Sequence, residues 1–128
     1  MVVLIAEDDA AVRTLAAFCL QEERFSVLQA CDGEEALRLA LSHDNLDLLL
    51  TDVEMGDGLN GIELGLRILA ERPGVLVLVM SGFPDNEHVA AENGMPFLAK
   101  PFTPDSLRER VREVMASKSS EFPSGDPR

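Results

Sequence analysis

The sequence predicts an α/β domain built on a doubly wound parallel sheet. Short apolar runs alternate with helix-patterned segments five times along the 128 residues. The runs Val2–Ala6, Leu46–Thr51 and Val75–Met80 are almost continuously apolar, as expected of strands buried on both faces. The connections are short. Strands alternating with helices over short loops form a parallel sheet, and right-handed crossovers place the helices on its two sides.

The first run, Val2–Ala6, has no positively charged stretch before it and is expected to be a strand rather than a signal peptide. In the helix that follows, Val12, Leu15, Ala16 and Cys19 fall at i, i+3, i+4 and i+7 and form the expected buried stripe. Phe25–Ala30 is the second strand, and its mixed pattern suits a sheet edge. Asp32 with Glu35 three residues on gives a capping-box pattern for the second helix. After the third strand, Leu46–Thr51, Asn60 and Glu63 repeat that pattern, and Ile62, Gly65, Leu66 and Leu69 are the stripe of the third helix. The fourth strand is Val75–Met80. The fourth helix, within Pro84 to Asn93, has room for barely two turns and offers only Val89 and Ala90 to a core, so it is expected to be short or mobile. Pro96–Ala99 is the fifth strand. Thr103-Pro104-Asp105 starts the fifth helix with a cap followed by proline at the first helical position, and Leu107, Val111, Val114 and Met115 form its seam. Residues 1–117 are expected to form one domain, and the Ser-, Pro- and Gly-containing segment 118–128 a disordered tail or linker stub.

Composition narrows the function. The length suits a single domain with one core, and 46% hydrophobic residues suffice to fill it. No apolar stretch approaches the ~20 residues of a membrane span, so no membrane insertion is expected. A formal net charge of −12 repels nucleic-acid phosphates and argues against direct nucleic-acid binding. It suits a divalent cation or a basic patch on a partner. Cys19 and Cys31 lack metal-ligand spacing and are expected to be free, buried thiols in a reducing cytosol. His43 and His88 are expected at the surface. Arg108, Arg110 and Arg112 are expected to form a solvated helix face open to a partner.

The chemistry gathers at strand ends. Glu7 and Asp8 close the first run, Asp52 the third, Ser81 follows the fourth and Lys100 the fifth. In a parallel sheet these positions share the carboxyl edge, where open α/β sheets bind ligands. Two carboxylates ~4 Å apart at an effective dielectric near 20 repel by about 4 kcal/mol, so three of them call for a cation. The pattern is read as a divalent-metal site with one aspartate free to do chemistry. Taken singly, each residue has a plainer reading. Asp52 would end a strand at a turn, Lys100 would precede an ordinary turn, Ser81 would be a strand-end serine, and Asp8 or Asp9 would cap the first helix, a role assigned to Asp9.

Four segments in this order and spacing, Ile5-Ala6-Glu7-Asp8-Asp9, Thr51-Asp52-Val53-Glu54-Met55, Met80-Ser81-Gly82 and Lys100-Pro101-Phe102, resemble the receiver domain of bacterial response regulators, from about Val2 to Met115. The resemblance implies a flavodoxin-like (βα)5 fold with strand order 2-1-3-4-5. It implies two-component signal transduction, in which Asp52 accepts a phosphoryl group and a protein-interaction surface switches. A carboxylate is ionised at neutral pH and needs no base, and phosphoryl transfer is catalysed mostly by positioning and electrostatics. By the same resemblance Mg²⁺, with Mn²⁺ as the alternative, would be held by Asp8, Asp52 and the backbone carbonyl of Glu54, and Glu7 would act from the outer sphere. Lys100 would pair with Asp52 and then with the phosphoryl oxygens. Ser81 would donate its hydroxyl to them and move on activation, beside Gly82, which leaves room. Phe97 would turn inward with Ser81, or is simply a core phenylalanine on an edge strand. The Lys100–Pro101 peptide would be cis.

The implied partners are a histidine kinase or phosphotransfer protein and a downstream protein, in the cytoplasm, with dimerisation on phosphorylation as a further option. Self-catalysed phosphorylation and slow hydrolysis make the domain an acceptor rather than an enzyme. Two features depart from the family pattern. Gly56 stands where proline usually follows the methionine, in a Gly56–Gly61 segment about one residue longer than the family's; the stretch from Ser81 to Lys100 is a few residues short. Two rival functions follow from the same residues. One is a small metal-dependent phosphohydrolase with an aspartyl-phosphate intermediate and Glu54 as general acid. The other is an interaction module independent of phosphorylation and without Mg²⁺ affinity.

Overall fold

The computed structural model describes the backbone of residues 1–121 and the side chains of residues 1–117. Five strands and five helices alternate: β1 (Val2–Ala6), α1 (Ala10–Glu22), β2 (Ser26–Ala30), α2 (Gly33–Ser42), β3 (Leu46–Asp52), α3 (Gly61–Glu71), β4 (Leu76–Ser81), α4 (Asp85–Glu92), β5 (Phe97–Ala99) and α5 (Pro104–Glu121). All strands are parallel in the order β2-β1-β3-β4-β5, as expected.

Strand alternation splits the core into two layers. Val3, Ile5, Leu48, Leu50, Leu78 and Met80 face α1 and α5. Leu4, Ala6, Leu49, Val77 and Val79 face the side that carries α2, α3 and α4. Both faces of the central strands are therefore apolar, which is why those runs read as continuous. Register sets the functional edge: Ala6 lies beside Thr51, Asp52 beside Met80, and Ser81 beside Ala99. The residues that end or follow these strands emerge within two residues of one level.

The helix starts follow local chemistry. Asp9 caps α1, its carboxylate accepting from the Ala11 and Val12 amides at 2.9 and 3.2 Å. Asn60 and Glu63 form the full capping box on α3. The expected box on α2 is only half made. Asp32 accepts from the Glu35 amide, but the Glu35 carboxylate reaches back to the Cys31 amide instead. On α5, Thr103 and Ser106 cap each other's amides through their hydroxyls at 3.0 and 2.9 Å.

Several expectations about buried faces are corrected. The buried residues of α1 are Ala16, Ala17, Cys19 and Leu20, whereas Leu15 is 39% exposed and Phe18 56%. On α3, Leu64 and Ile68 are buried with Ile62 and Gly65, and Leu66 is 45% exposed. Both helices carry apolar residues around most of their circumference, so several stripes fit the period and packing selects one. Cys31 is exposed, because it lies in the turn after the edge strand β2; Cys19 is buried, and both are free. His43 is half-buried, with its Nδ1 2.8 Å from the Leu39 carbonyl oxygen, and His88 is exposed. The three arginines of α5 are tied down. Arg112 pairs with Glu23 through two bonds of 2.9 Å, Arg108 with Glu22 at 3.1 Å, and Arg110 donates to the Phe97 carbonyl at 3.1 Å. Helix α5 runs to Glu121, past the expected start of the tail at 118, and the rest of that segment lies outside the described residues. The fourth helix is short, as expected: eight residues, only Ala90 buried, and no side-chain cap at Pro84.

Candidate functional site

The carboxyl edge of the sheet gathers one acidic cluster among the described residues. Glu7, Asp8 and Asp52 each place a carboxylate oxygen within 4.8 Å of the other two. Glu7 follows β1 and is fully buried. Its amide donates to the Ala30 carbonyl at 3.1 Å, and its own carbonyl accepts from the Arg13 guanidinium at 2.8 Å, so the chain leaves the strand along a fixed path. Asp8 is exposed and makes no hydrogen bond through its side chain among the described residues. Asp52, the last residue of β3, is 4% exposed.

Lys100 reaches this cluster from the end of β5. Its ammonium lies 2.6 Å from Glu7 Oε1 and 3.3 Å from Asp52 Oδ2. The Lys100–Pro101 peptide is cis. Glu7 is thus the nearer partner, a pairing that sequence reasoning did not foresee. The second Glu7 oxygen accepts from the Asp9 amide at 3.1 Å. Burial, and then the neighbouring Glu7 charge, push the Asp52 carboxyl up to about 7 against the opposing pull of Lys100. The Lys100 ammonium is pulled down by burial, but the hydrogen bond to Glu7 and the charges of Asp52 and Glu7 outweigh this and raise it.

The cluster suits a divalent cation. Three carboxylates against one ammonium leave two negative charges to balance. Asp52 Oδ1 is buried with no hydrogen-bond partner, which costs free energy unless a ligand or ion meets it. The oxygens that remain uncommitted belong to Asp8 and Asp52, while both Glu7 oxygens are engaged by protein donors. The Glu54 carbonyl oxygen accepts no hydrogen bond among the described residues.

The other expected residues stand around this cluster. Ser81 ends β4, is buried, and donates its hydroxyl to the Glu54 carboxylate at 3.0 Å. Asn86, in the first turn of α4, donates to the same carboxylate and, at 3.0 Å, to Ser81 Oγ. Neither the Glu54 side chain nor Asn86 was picked out for this network from sequence. The available signals were that Glu54 sits two residues after Asp52 and that Asn86 opens a helix without capping it. Phe97 is half-buried and packs against the core layer of α2, α3 and α4. A methyl at Gly82 would meet only the Lys100 Cβ, at 3.9 Å. Beside Lys100 a cleft of about 590 Å³ is walled by Val12, Leu15, Pro101 and Phe102.

The loop after Asp52 is held from below. Gly61 opens α3, and its amide donates to the Val53 carbonyl at 2.9 Å. A Cβ at Gly61 would lie 2.1 Å from the Asp52 carbonyl oxygen and 2.9 Å from its carbon. These are backbone atoms that cannot swing aside. Gly61→Ala is therefore expected to lower stability by about 2 kcal/mol and to displace Asp52. Thermal unfolding reads the first effect, and weakened divalent-cation binding the second. Gly56, at φ +77°, gives the same loop a left-handed turn where the family pattern has proline, whose φ is confined near −65°.

Comparison with known proteins agrees with this geometry. Residues 3–112 match the family model of the response regulator receiver domain. A cyclic di-GMP phosphodiesterase of Thermotoga maritima is 34% identical over 121 residues, covering 92% of this chain and 32% of that protein. The transcriptional regulatory protein CpxR of Escherichia coli is 35% identical over 116 residues, covering 88% of this chain and 48% of the relative. The chain thus spans half or less of the length of these relatives. Among solved structures, the receiver domain of the hybrid histidine kinase CckA superposes with a TM-score of 0.69 at 35% identity, covering 90% of this chain and 99% of that one. A receiver domain from Clostridium thermocellum superposes with a TM-score of 0.83 at 25% identity, covering 92% and 96%. No helix among the described residues is long and apolar enough to cross a membrane. With the parallel sheet in the order 2-1-3-4-5, the acidic edge and the lysine after β5 all in place, the chain belongs to the response regulator receiver domain family of two-component systems.

Proposed function

We propose that this chain accepts a phosphoryl group on Asp52 from the phosphohistidine of a histidine kinase or phosphotransfer protein and thereby switches a surface read by a downstream protein. The observation that carries the reading is the state of Asp52: buried, with one oxygen facing Lys100 at 3.3 Å and the other without a partner. Oδ2 forms the new O–P bond as the P–N bond of the donor breaks, and the departing imidazole nitrogen keeps the electron pair and takes up a proton. Lys100 moves its attraction from the carboxylate to the phosphoryl oxygens. Mg²⁺, or Mn²⁺, would be held by Asp8, Asp52 and the Glu54 carbonyl, with Glu7 in the outer sphere. When bound it supplies positive charge that keeps Asp52 ionised at neutral pH and offsets the charge of the arriving group. Ser81 would donate its hydroxyl to the phosphoryl group and Phe97 would follow it inward. Residues 1–117 would constitute the receiver unit, working in the cytoplasm, with dimerisation as one form the output could take.

The phosphohydrolase alternative requires Glu54 as a free general acid, yet its carboxylate is engaged by Ser81 and Asn86. Incubation with a small phosphodonor and Mg²⁺ is expected to add one phosphoryl group to the native protein and none to Asp52→Asn, as read by intact mass. Equal labelling of both, or none of the native protein, would refute the assignment. Steady turnover of phosphate monoesters would favour the hydrolase instead.

A further inference from the structure

We infer that Glu54 is a positioning residue: its carboxylate holds the Ser81 hydroxyl and the first turn of α4 in the resting arrangement, and must release Ser81 before that hydroxyl can reach a phosphoryl group on Asp52. The inference rests on the phosphoacceptor reading above and deepens it. Ser81 is buried and its hydroxyl is fully engaged. It donates to Glu54, 3.0 Å from Oε1 and 3.1 Å from Oε2. It accepts from the Phe83 amide at 2.9 Å and from the Asn86 side chain at 3.0 Å. A hydroxyl has one proton and two lone pairs, so nothing remains for a phosphoryl oxygen.

The same carboxylate accepts from Asn86. One charged acceptor therefore joins the loop after β3, the end of β4 and the start of α4, through bonds stronger than those between neutral groups. Few other contacts hold α4. Ala90 is its only buried residue, and no side chain caps its N-terminus. Turning the Ser81 hydroxyl toward Asp52 breaks the bond to Glu54 and withdraws the acceptor on which Asn86 also leans. The chemistry at Asp52 is thereby linked to the position of α4, and Glu54 sets how much that link resists.

Fluoroberyllate with Mg²⁺, a stable mimic of the phosphoryl group, tests this on the full chain by calorimetry. Glu54→Ala is expected to tighten its binding ~tenfold, the effect of losing one charge-assisted bond from the resting state. Asn86→Ala is expected to tighten it less, and Glu54→Gln, which retains only a neutral acceptor for Ser81, to tighten it by an amount between native and Glu54→Ala. In a Ser81→Ala background, Glu54→Ala is expected to change nothing. Unchanged binding on Glu54→Ala, or equal tightening with and without Ser81, would overturn the inference, the latter assigning the effect to charge repulsion alone. A native protein that binds no fluoroberyllate would overturn the phosphoacceptor reading together with it, whereas native binding without tightening overturns the Glu54 role only.

Discussion

Lys100→Met is expected to lower the stability of the metal-free protein at pH 8 by about 3 kcal/mol, roughly 10 °C in Tm. The ammonium lies between two buried carboxylates, 2.6 Å from Glu7 and 3.3 Å from Asp52. Methionine keeps most of the side-chain volume and removes only the charge, so the variant leaves Glu7 and Asp52 facing each other without a cation. The loss depends on pH. In the native protein the folded state raises Lys100, so its contribution is complete below the ordinary lysine range and is lost only as pH rises past it. In the variant the two carboxylates repel at pH 8, but near pH 5 a proton on Asp52, whose carboxyl burial already raises to about 7 in the native protein, relieves the repulsion. The gap between native and variant is therefore expected to shrink by more than half between pH 8 and pH 5. Millimolar Mg²⁺ at pH 8 is expected to recover part of it, because a divalent ion at the proposed site of Asp8 and Asp52 would supply the missing charge. Urea unfolding of both proteins across this range, with and without Mg²⁺, checks each point. A pH-independent loss would show that Lys100 contributes through packing and not through charge.

Asp52→Asn is expected to move stability in the opposite direction. The folded protein holds the Asp52 carboxyl at about 7, above its ordinary 3.8, chiefly through burial. A carboxyl raised in the folded state binds its proton more tightly there than in the unfolded chain. Stability then falls as pH rises from about 4 to about 7 and stays low above that. The full shift corresponds to an upper bound of about 4 kcal/mol. Asparagine is neutral at every pH and nearly isosteric, so the variant is expected to be about 2 kcal/mol more stable than native at pH 8 without metal, with the difference fading toward pH 4. Saturating Mg²⁺ is expected to reverse the order, since under the proposed function the native carboxylate would be a ligand that the amide replaces poorly. Melting curves at pH 4.5, 6 and 8, with and without Mg²⁺, show whether the order reverses. If Asp52→Asn is the less stable protein at pH 8 without metal, Asp52 is not a destabilised buried charge.

These two effects come from residues 48 positions apart, yet their meeting was legible in the sequence. A parallel sheet of matched strands brings Glu7, Asp52, Ser81 and Lys100 to one edge, within two residues of one level, and strand order decides only which are neighbours. The apolar runs followed by acidic or basic residues therefore specified the α/β class, the functional edge and its acidic character. Helix starts at Asp9 and Asn60 were equally plain, since caps act over three residues and need nothing from the rest of the fold.

What the tertiary structure alone decided lies at longer range. Val12, Leu15, Phe18, Cys19 and Leu20 leave several apolar stripes open on α1, and only contact with the sheet and α5 buried Leu20 and left Leu15 and Phe18 outside. The choice of Glu7 as the nearer partner of Lys100, and the meeting of Glu54, Ser81 and Asn86, depend on side-chain directions set by segments far apart in the chain. Periodicity and capping are properties of neighbouring residues, so a linear chain records them. The pairing of charges and the choice of buried face are settled by competition among distant surfaces, which exists only once the chain has folded.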